Sequence, residues 1–322
     1  MKNRWQFQPV PEKKKIDHLL EVLGVDKRIA RMLLTRGIET YDQAEQFFRP
    51  NLDDLHDPFL MKDMDLAVER IQHAMEEGEK VLIYGDYDVD GTTSVSLMVK
   101  FFEPFYSEYI DYYIPDRYKE GYGISLQGID HAESNNISLI IALDCGIRAV
   151  NQVEYATKKG IDFIICDHHL PHGDIPKAVA VLDHKRADCP YPYKELTGCG
   201  IGLKLCQALT KKLGLEDSGW INLLDFVAIS SACDIVPITG ENRTLTYLGI
   251  EQINSAPRKG LESIVELSGK KGKFTVTDLV FTIGPRVNAA GRIGDAKKAV
   301  EMLLSEDDSL ATEASQILEK RN

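Results

Sequence analysis

Three aspartates alternate within a stretch of six residues, where Asp86, Asp88 and Asp90 lead to Gly91 in DYDVDG. Carboxylates this close repel one another, which raises their pKa values unless a cation lies between them. The stretch is therefore a candidate metal site, and it also matches the start of a calcium-binding EF-hand loop. These six residues alone do not exclude a third interpretation, a solvated acidic turn.

The EF-hand interpretation fails on the neighbouring residues. Position 12 of such a loop falls on Leu97 instead of the glutamate that calcium binding requires. The preceding residues VLIY (81–84) have the pattern of a strand, where an EF-hand needs a helix. An acidic segment between a strand and a helix instead places carboxylates at the carboxyl edge of a parallel sheet, where open α/β sheets carry their sites.

The same pattern occurs twice more along the chain. SLIIALDCG contains Asp144 after an apolar strand, and DFIICDHH ends in Asp167, His168 and His169. Asp234, after the apolar run FVAISSAC, is a further candidate, although a lone aspartate there is more often a helix cap. Carboxylates with imidazole suit Mn²⁺ or Mg²⁺ better than structural zinc. Two such ions about 3.5–4 Å apart clamp a phosphate and activate water, which predicts hydrolysis of a phosphoester or phosphoanhydride.

Periodicity predicts the elements that must position these residues. Residues 16–50 alternate amphipathic runs with glycine or proline breaks, and 64–78 add one more helix, so residues 1–78 are predicted as a helical region packed on the core. From residue 80, apolar strand patterns alternate with helical segments. This alternation predicts an α/β fold with a largely parallel sheet flanked by helices.

The C-terminal part is predicted to be mostly helical. Two helices are predicted over 196–232, and mixed, mostly helical structure over 259–304. We place the catalytic domain at 79–305. Residues 306–322 predict the start of a helix with no glycine or proline to end it.

Two glycine-containing polar stretches are candidates for contact with phosphates. In IGPRVNAAGRIGD (283–295), small residues would let the backbone approach a ligand while the arginines fork onto phosphate oxygens. The alternative for this stretch is a glycine-rich turn with solvated arginines. The second stretch, PDRYKEGYGIS (115–125), either lines the same cleft or forms only a loop. The candidate nucleic-acid-binding residues are Arg286, Asn288, Gly291, Arg292, Arg117 and Tyr122.

Composition narrows the class of protein. Among 322 residues, no apolar run approaches the roughly 18–20 residues that span a membrane, and no signal-peptide pattern occurs, so a cytoplasmic protein is expected. The net charge of −12 argues against a generic polyanion-coating surface, but bound divalent cations reverse the local potential and leave a nucleic-acid enzyme open. The six cysteines form no C-x-x-C pair, which predicts buried, reduced thiols.

Seven short motifs together resemble those of a known family. In chain order they are YGDYDVDG, IPDRYKEGYGIS, ALDCG, CDHH, GCGIG, ACDIVP and GPRVNAAGR. This set resembles the DHH phosphoesterase superfamily. GPRVNAAGR resembles its branch of single-strand-specific DNA exonucleases. The resemblance covers nearly the whole chain, from about residue 16. It implies 5′→3′ hydrolysis of single-stranded DNA to mononucleotides in recombination and repair, with two Mn²⁺ or Mg²⁺ ions. It further implies a monomer, with a helicase and a single-strand-binding protein as candidate partners.

The resemblance also implies roles for individual residues. The tighter metal ion would be held by Asp90, Asp144, His168 and Asp234. The weaker ion would be held by Asp88 and the shared Asp144. His169 would face the scissile phosphate, and it forms the implied catalytic set with Asp144 and His168. Asp86 and Asp167 would orient these ligands by hydrogen bonds from behind.

Two departures from the family pattern affect these expectations. Pyrophosphatase-type relatives carry a histidine where this chain has Tyr84, which leaves the weaker metal site short of a ligand. Family members usually continue into a second α/β domain, so the chain is expected to be a catalytic core without its C-terminal domains. Two other functions stay open: a phosphodiesterase or pyrophosphatase of small molecules such as oligoribonucleotides or cyclic dinucleotides, and a non-catalytic replication scaffold.

Overall fold

The computed structural model describes residues 9–291 and 296–307, and the chain divides into two units between Leu55 and His56. The helices of the smaller unit are α1 (Lys13–Leu23), α2 (Lys27–Leu34) and α3 (Tyr41–Phe48). Their apolar faces share one small core. Gly24 ends α1 in the left-handed conformation, and Thr40 begins α3 with a capping box, so local signals set these boundaries.

The larger unit begins before the boundary that the sequence suggested at residue 78. Helix α4 (Met64–Glu77) packs against strand β5 (Ala180–Leu182) and helix α8 (Gly198–Leu213). Its apolar stripe is buried in that contact, which explains why the division falls at residue 55 instead. The connecting helix predicted for 306–322 lies outside the described residues, apart from 306 and 307.

A parallel sheet of five strands forms the centre of the larger unit. Its first four strands are β1 (Lys80–Gly85), β2 (Ile110–Tyr113), β3 (Ile137–Leu143) and β4 (Asp162–Cys166). The spatial order is β2-β1-β3-β4-β5, and every neighbouring pair is parallel. The predicted α/β class and parallel sheet are confirmed, and the three strands predicted before the acidic segments, β1, β3 and β4, lie side by side.

Helices cover both faces of this sheet. On one face, α6 (Leu126–Ser134) and α7 (Val150–Lys158) join a core with alternate residues of the strands. On the other face, α5 (Val89–Tyr106) and α8 pack against β1, β3 and β4. Successive strand side chains point to opposite faces, so coverage on both sides requires strands that are apolar throughout.

The C-terminal part is mostly helical, as predicted. Its helices are α9 (Ser218–Ile221), α10 (Leu224–Cys233), α11 (Gly240–Ser255), α12 (Lys259–Ser268), α13 (Val276–Asp278), α14 (Gly284–Gly291) and α15 (Lys297–Leu304). A π-helical turn, Leu279–Ile283, leads into α14. All six cysteines are free, and five of them are buried, whereas Cys233 is partly exposed. Within the described residues, no helix is both long and apolar enough to cross a membrane.

Candidate metal centre

The carboxyl edge of the sheet gathers the predicted site residues. The neighbouring strands β1, β3 and β4 are each followed directly by an acidic or histidine segment. Asp144, immediately after β3, has a φ of 60°, which aspartate tolerates better than most residues. Its backbone N–H donates to the carbonyl oxygen of Cys166 at 2.9 Å. Pairing with β4 therefore holds the backbone of this site residue in place.

Helix α5 begins between two of the predicted aspartates. Asp88 is its N-cap and accepts a hydrogen bond from the backbone N–H of Gly91 at 3.0 Å. Asp90 consequently lies in the first helical turn. Gly91 has no room for a side chain, since a Cβ atom there would lie 2.3 Å from the carbonyl oxygen of Asp86.

Asp90 is anchored by three donors from two other helices. Its carboxylate accepts the backbone N–H groups of Gly198 at 2.7 Å and Cys199 at 2.9 Å, at the start of α8. The hydroxyl of Ser230 on α10 donates to it at 2.7 Å. A helix N-terminus is a favourable environment for a carboxylate, and these donors fix the position of the Asp90 side chain. Sequence reasoning missed them, and the small residues of GCGIG are the only sequence signal of this close approach.

The His168 imidazole lies among three carboxylates. Its Nε2 atom is 3.2 Å from Asp144 Oδ1, 3.6 Å from Asp90 Oδ2 and 3.7 Å from Asp234 Oδ2. Asp144 Oδ1 is buried and accepts no hydrogen bond from the described residues. The four side chains therefore converge on a common point without pairing off, which is the arrangement of ligands around a cation.

A second cluster shares Asp144. One carboxylate oxygen each from Asp86, Asp88 and Asp144 lies within 4.8 Å of the other two. Asp86 is fully buried, and neither of its carboxylate oxygens accepts a well-formed hydrogen bond within residues 9–291 and 296–307. The family resemblance implies that Asp86 orients ligands from behind, whereas the geometry groups it with the two candidate ligands Asp88 and Asp144.

Burial and crowding shift the pKa values of these side chains. Burial, with a smaller contribution from the charge of Asp88, raises the pKa of Asp86 to about 7. Burial and the charges of Asp90 and Asp88 raise the pKa of Asp234 to about 7. The pKa of Asp144 is raised well above its ordinary value by burial and by the same two neighbours. Burial lowers the pKa of His168. Acids held this close favour a bound cation.

Asp167 orients the histidine pair instead of joining the clusters. One of its oxygens accepts the backbone N–H groups of His168 at 2.7 Å and His169 at 3.0 Å, and it lies 2.8 Å from His169 Nδ1. The other accepts the N–H of Ile147 at 2.8 Å. Burial raises the pKa of Asp167, but the contacts with His169 outweigh burial and lower it overall. The hydrogen bond with Asp167 raises the pKa of His169.

Aromatic side chains from the 115–125 stretch lie beside this histidine pair. The hydroxyl of Tyr122 is 3.2 Å from His169 Nε2, and its ring packs edge-on against the rings of His169 and Tyr87. The guanidinium of Arg117 lies over the Tyr87 ring at 5.2 Å. The structure thus brings both predicted residues of this stretch to the mouth of the centre. Tyr87, which lies in the chain between the predicted site residues Asp86 and Asp88, is a further member of this group that its residue type did not reveal.

The GPRVNAAGR stretch forms helix α14 for the part that is described. Arg286 donates to the carbonyl oxygen of Thr282 at 2.7 Å, and Asn288 is half-buried. Gly284 packs so closely on Cys233 that a Cβ atom would lie 2.6 Å from its sulfur. The helix therefore starts beside the residue that precedes Asp234. Gly291 ends the helix, and Arg292 lies outside the described residues.

The chain is similar to a known protein family and to proteins of known activity. The family model "DHH family, N-terminal domain" matches residues 80–230. The single-stranded-DNA-specific exonuclease RecJ of Bacillus subtilis is 40% identical over 99% of this chain and 40% of its own length. RecJ of Escherichia coli is 33% identical over 87% of this chain and 50% of its own length. The chain thus spans half or less of the length of these relatives.

Solved structures agree with the sequence comparison. RecJ of Thermus thermophilus in complex with Mn²⁺ matches with a TM-score of 0.84 and 25% identity, over 98% of this chain and 45% of that one. A second exonuclease RecJ bound to manganese matches with a TM-score of 0.75 and 28% identity, over 84% and 67%. Fold and site define an α/β protein whose parallel sheet carries a cluster of carboxylates and histidine suited to Mn²⁺ or Mg²⁺. Residues 80–230 belong to the DHH family, and the relatives named above are RecJ exonucleases.

Proposed function

We propose that the chain is the catalytic core of a metal-dependent exonuclease that hydrolyses single-stranded DNA from the 5′ end to mononucleotides, in recombination and repair. The observation that carries the proposal is the convergence of three carboxylates on His168, with Asp144 shared by a second acidic cluster. The RecJ relatives supply the substrate class. Residues 79–305 are the proposed catalytic domain, which includes the part matched by the family model.

We assign two Mn²⁺ or Mg²⁺ ions to this centre. One would be held by Asp90, Asp144, His168 and Asp234. The other would be held by Asp86, Asp88 and Asp144. The donor set fits these ions, because it consists of carboxylate oxygens and one imidazole, and because buried oxygens of Asp86 and Asp144 accept no well-formed hydrogen bond among the described residues. Bound ions would polarise the phosphodiester and activate water for in-line attack.

The remaining polar residues position the substrate. The Nδ1 side of His169 is held by Asp167, so its Nε2 edge is presented to the scissile phosphate, and Tyr122 must release that edge when substrate enters. Arg286 and Asn288 on α14 and Arg117 in the 115–125 stretch are proposed to hold the DNA backbone, together with Arg292 and the close approach at Gly291. We further propose that the protein acts as a monomer in the cytoplasm, with a helicase and a single-strand-binding protein as partners.

The proposed activity is tested on single-stranded, duplex and cyclic dinucleotide substrates with Mn²⁺. A 5′-labelled single strand should release labelled mononucleotide with the first cut, while a 3′-labelled strand should shorten progressively. The His168→Ala protein should be inactive, because its imidazole is the only nitrogen donor of the first ion's set. Faster hydrolysis of the dinucleotide than of the single strand would instead favour a small-molecule phosphodiesterase. Absence of hydrolysis on every substrate would favour a scaffold.

A methyl group at position 198 should weaken metal binding. In Gly198→Ala, the new Cβ atom would lie 2.6 Å from Cβ and 2.7 Å from Cα of Asp144, so the strand end or the helix start must shift. The same residue donates to Asp90. Because changes in the groups that support metal ligands typically cost about 10–100-fold in affinity, we expect at least about a tenfold loss in a Mn²⁺ titration by calorimetry.

Gly200→Ala is the matched control for this substitution. It lies on the same helix, but its Cβ atom would only reach ordinary contact, 3.4 Å from Leu196. The Mn²⁺ affinity of this protein should stay close to that of the wild type. Equal affinities in the two variants would show that the close approach of Gly198 does not position the ligands.

A further inference from the structure

A cavity of about 170 Å³ lies beside the candidate metal centre and shares His169 with it. It is bounded by Tyr122 and His169, by the turn between β3 and α7, and by Gln152 on α7 itself. Two of its lining residues, Asp167 and Cys145, are direct chain neighbours of the candidate ligands His168 and Asp144. A group held in this cavity would therefore be attached to, or close to, the atoms that react.

The walls of this cavity are mostly apolar. Ile124, Ile147 and Ala149 are buried residues of the core, and each contributes to the lining. The rings of Tyr122 and His169 complete the wall nearest the metal centre. Flat aromatic groups are stabilised by stacking on such rings and by burial of their faces against aliphatic side chains.

Two polar side chains at the cavity are available for recognition. The amide of Gln152 makes no hydrogen bond within the described ranges, and it offers both a donor and an acceptor. Arg148 uses one nitrogen to donate to the carbonyl oxygen of Leu170 at 3.2 Å, and the rest of its guanidinium is exposed. By contrast, both oxygens of Asp167 are already committed to other donors.

We propose that this cavity binds the nucleobase of a nucleotide that flanks the scissile phosphate, with Gln152 at the base edge. The inference rests on the proposed function and names a subsite within it. The size is the first argument, because pockets for drug-sized ligands measure about 300–1,000 Å³ and this cavity suits a single ring system. The lining is the second argument, because a mostly apolar cavity with one amide and one arginine at its edge fits a base better than a phosphate, which would call for several cationic or N–H donors.

Chromogenic phosphodiesters separate this subsite from exonuclease activity on DNA. The 4-nitrophenyl ester of thymidine 5′-phosphate carries a base, whereas methyl 4-nitrophenyl phosphate does not, and both need only the metal centre with Mn²⁺. Stacking of one base has a large effect on affinity, so the wild type should prefer the thymidine ester by about tenfold in kcat/KM. This comparison needs no variant, and it stands even if the chain does not degrade single-stranded DNA.

Gln152→Trp tests the position of the subsite, because an indole there would fill the cavity. The preference for the thymidine ester should fall to about twofold or less, with hydrolysis of the methyl ester unchanged. Asn151→Trp is the matched control, since Asn151 is exposed on the same helix and does not line the cavity. Equal kcat/KM for both esters in the wild type overturns the proposal. The proposal is also overturned if Gln152→Trp prefers the thymidine ester as strongly as Asn151→Trp does. It is overturned as well if Gln152→Trp loses activity on both esters equally while Gln152→Ala still prefers the thymidine ester.

Discussion

Replacing Asp144 with asparagine should lower phosphodiester hydrolysis about a thousandfold while the protein stays folded. Asp144 is the only residue that belongs to both acidic clusters, and its Oδ1 atom is also the carboxylate oxygen nearest to His168 Nε2. Metal ions at such a centre supply several kcal/mol of charge stabilisation, and about 1.36 kcal/mol is a factor of ten in rate. The measurement is the rate of oligonucleotide cleavage at saturating Mn²⁺, with circular dichroism to confirm folding.

Asp183→Asn is the matched control for this prediction. Asp183 follows β5 at the same edge of the sheet and is as deeply buried as Asp144, but it is not in either acidic cluster. Its activity should stay within about tenfold of the wild type, because no metal ligand is removed. Similar losses in both variants would show that burial of an acid at this edge, and not ligation by Asp144, controls the rate.

Asp183 also shows why the sequence predicts the site only in part. The rule that an apolar strand is followed by an acid or a histidine describes Asp183 and His184 as well as Asp167 and His168. Chain order does not say which strands are neighbours, and only the spatial order β2-β1-β3-β4-β5 places β1, β3 and β4 together. The strands themselves were predictable, because a sheet covered on both faces needs apolar runs, and such runs are visible in the sequence.

The supporting contacts of the centre were harder to predict than its ligands. The backbone N–H groups of Gly198 and Cys199 hold Asp90 across more than a hundred residues of chain. A backbone donor has no side-chain signature, so only the folded chain identifies it. Asp86 illustrates the same limit, because alternation in DYDVDG does not determine which of its aspartates turns inward. The boundary near residue 55 was likewise hidden, since α4 has the same amphipathic pattern as the helices before it.

Without metal ions, the folded protein should lose stability as the pH rises from about 5.5 to about 8. Asp86 and Asp234 have folded-state pKa values of about 7, raised by burial and by neighbouring carboxylates from an ordinary value of 3.8. Because the folded state binds these protons more tightly than the unfolded state, the stabilisation is complete below about pH 4 and is lost as the pH rises through about 7. The midpoint of thermal unfolding in chelator should therefore fall by several degrees over this interval.

Added Mn²⁺ should reverse this trend, and the reversal identifies its cause. Ions bind the ionised carboxylates of the folded state, so stabilisation by Mn²⁺ should grow with pH as protons leave the site. Asp144→Asn should weaken the response to Mn²⁺, because the residue shared by both clusters no longer carries a charge. In metal-free protein the same substitution should raise the unfolding midpoint at about pH 8, since it relieves repulsion among buried acids. A midpoint in chelator that rises between pH 5.5 and pH 8 would contradict the assignment of these raised pKa values to the centre.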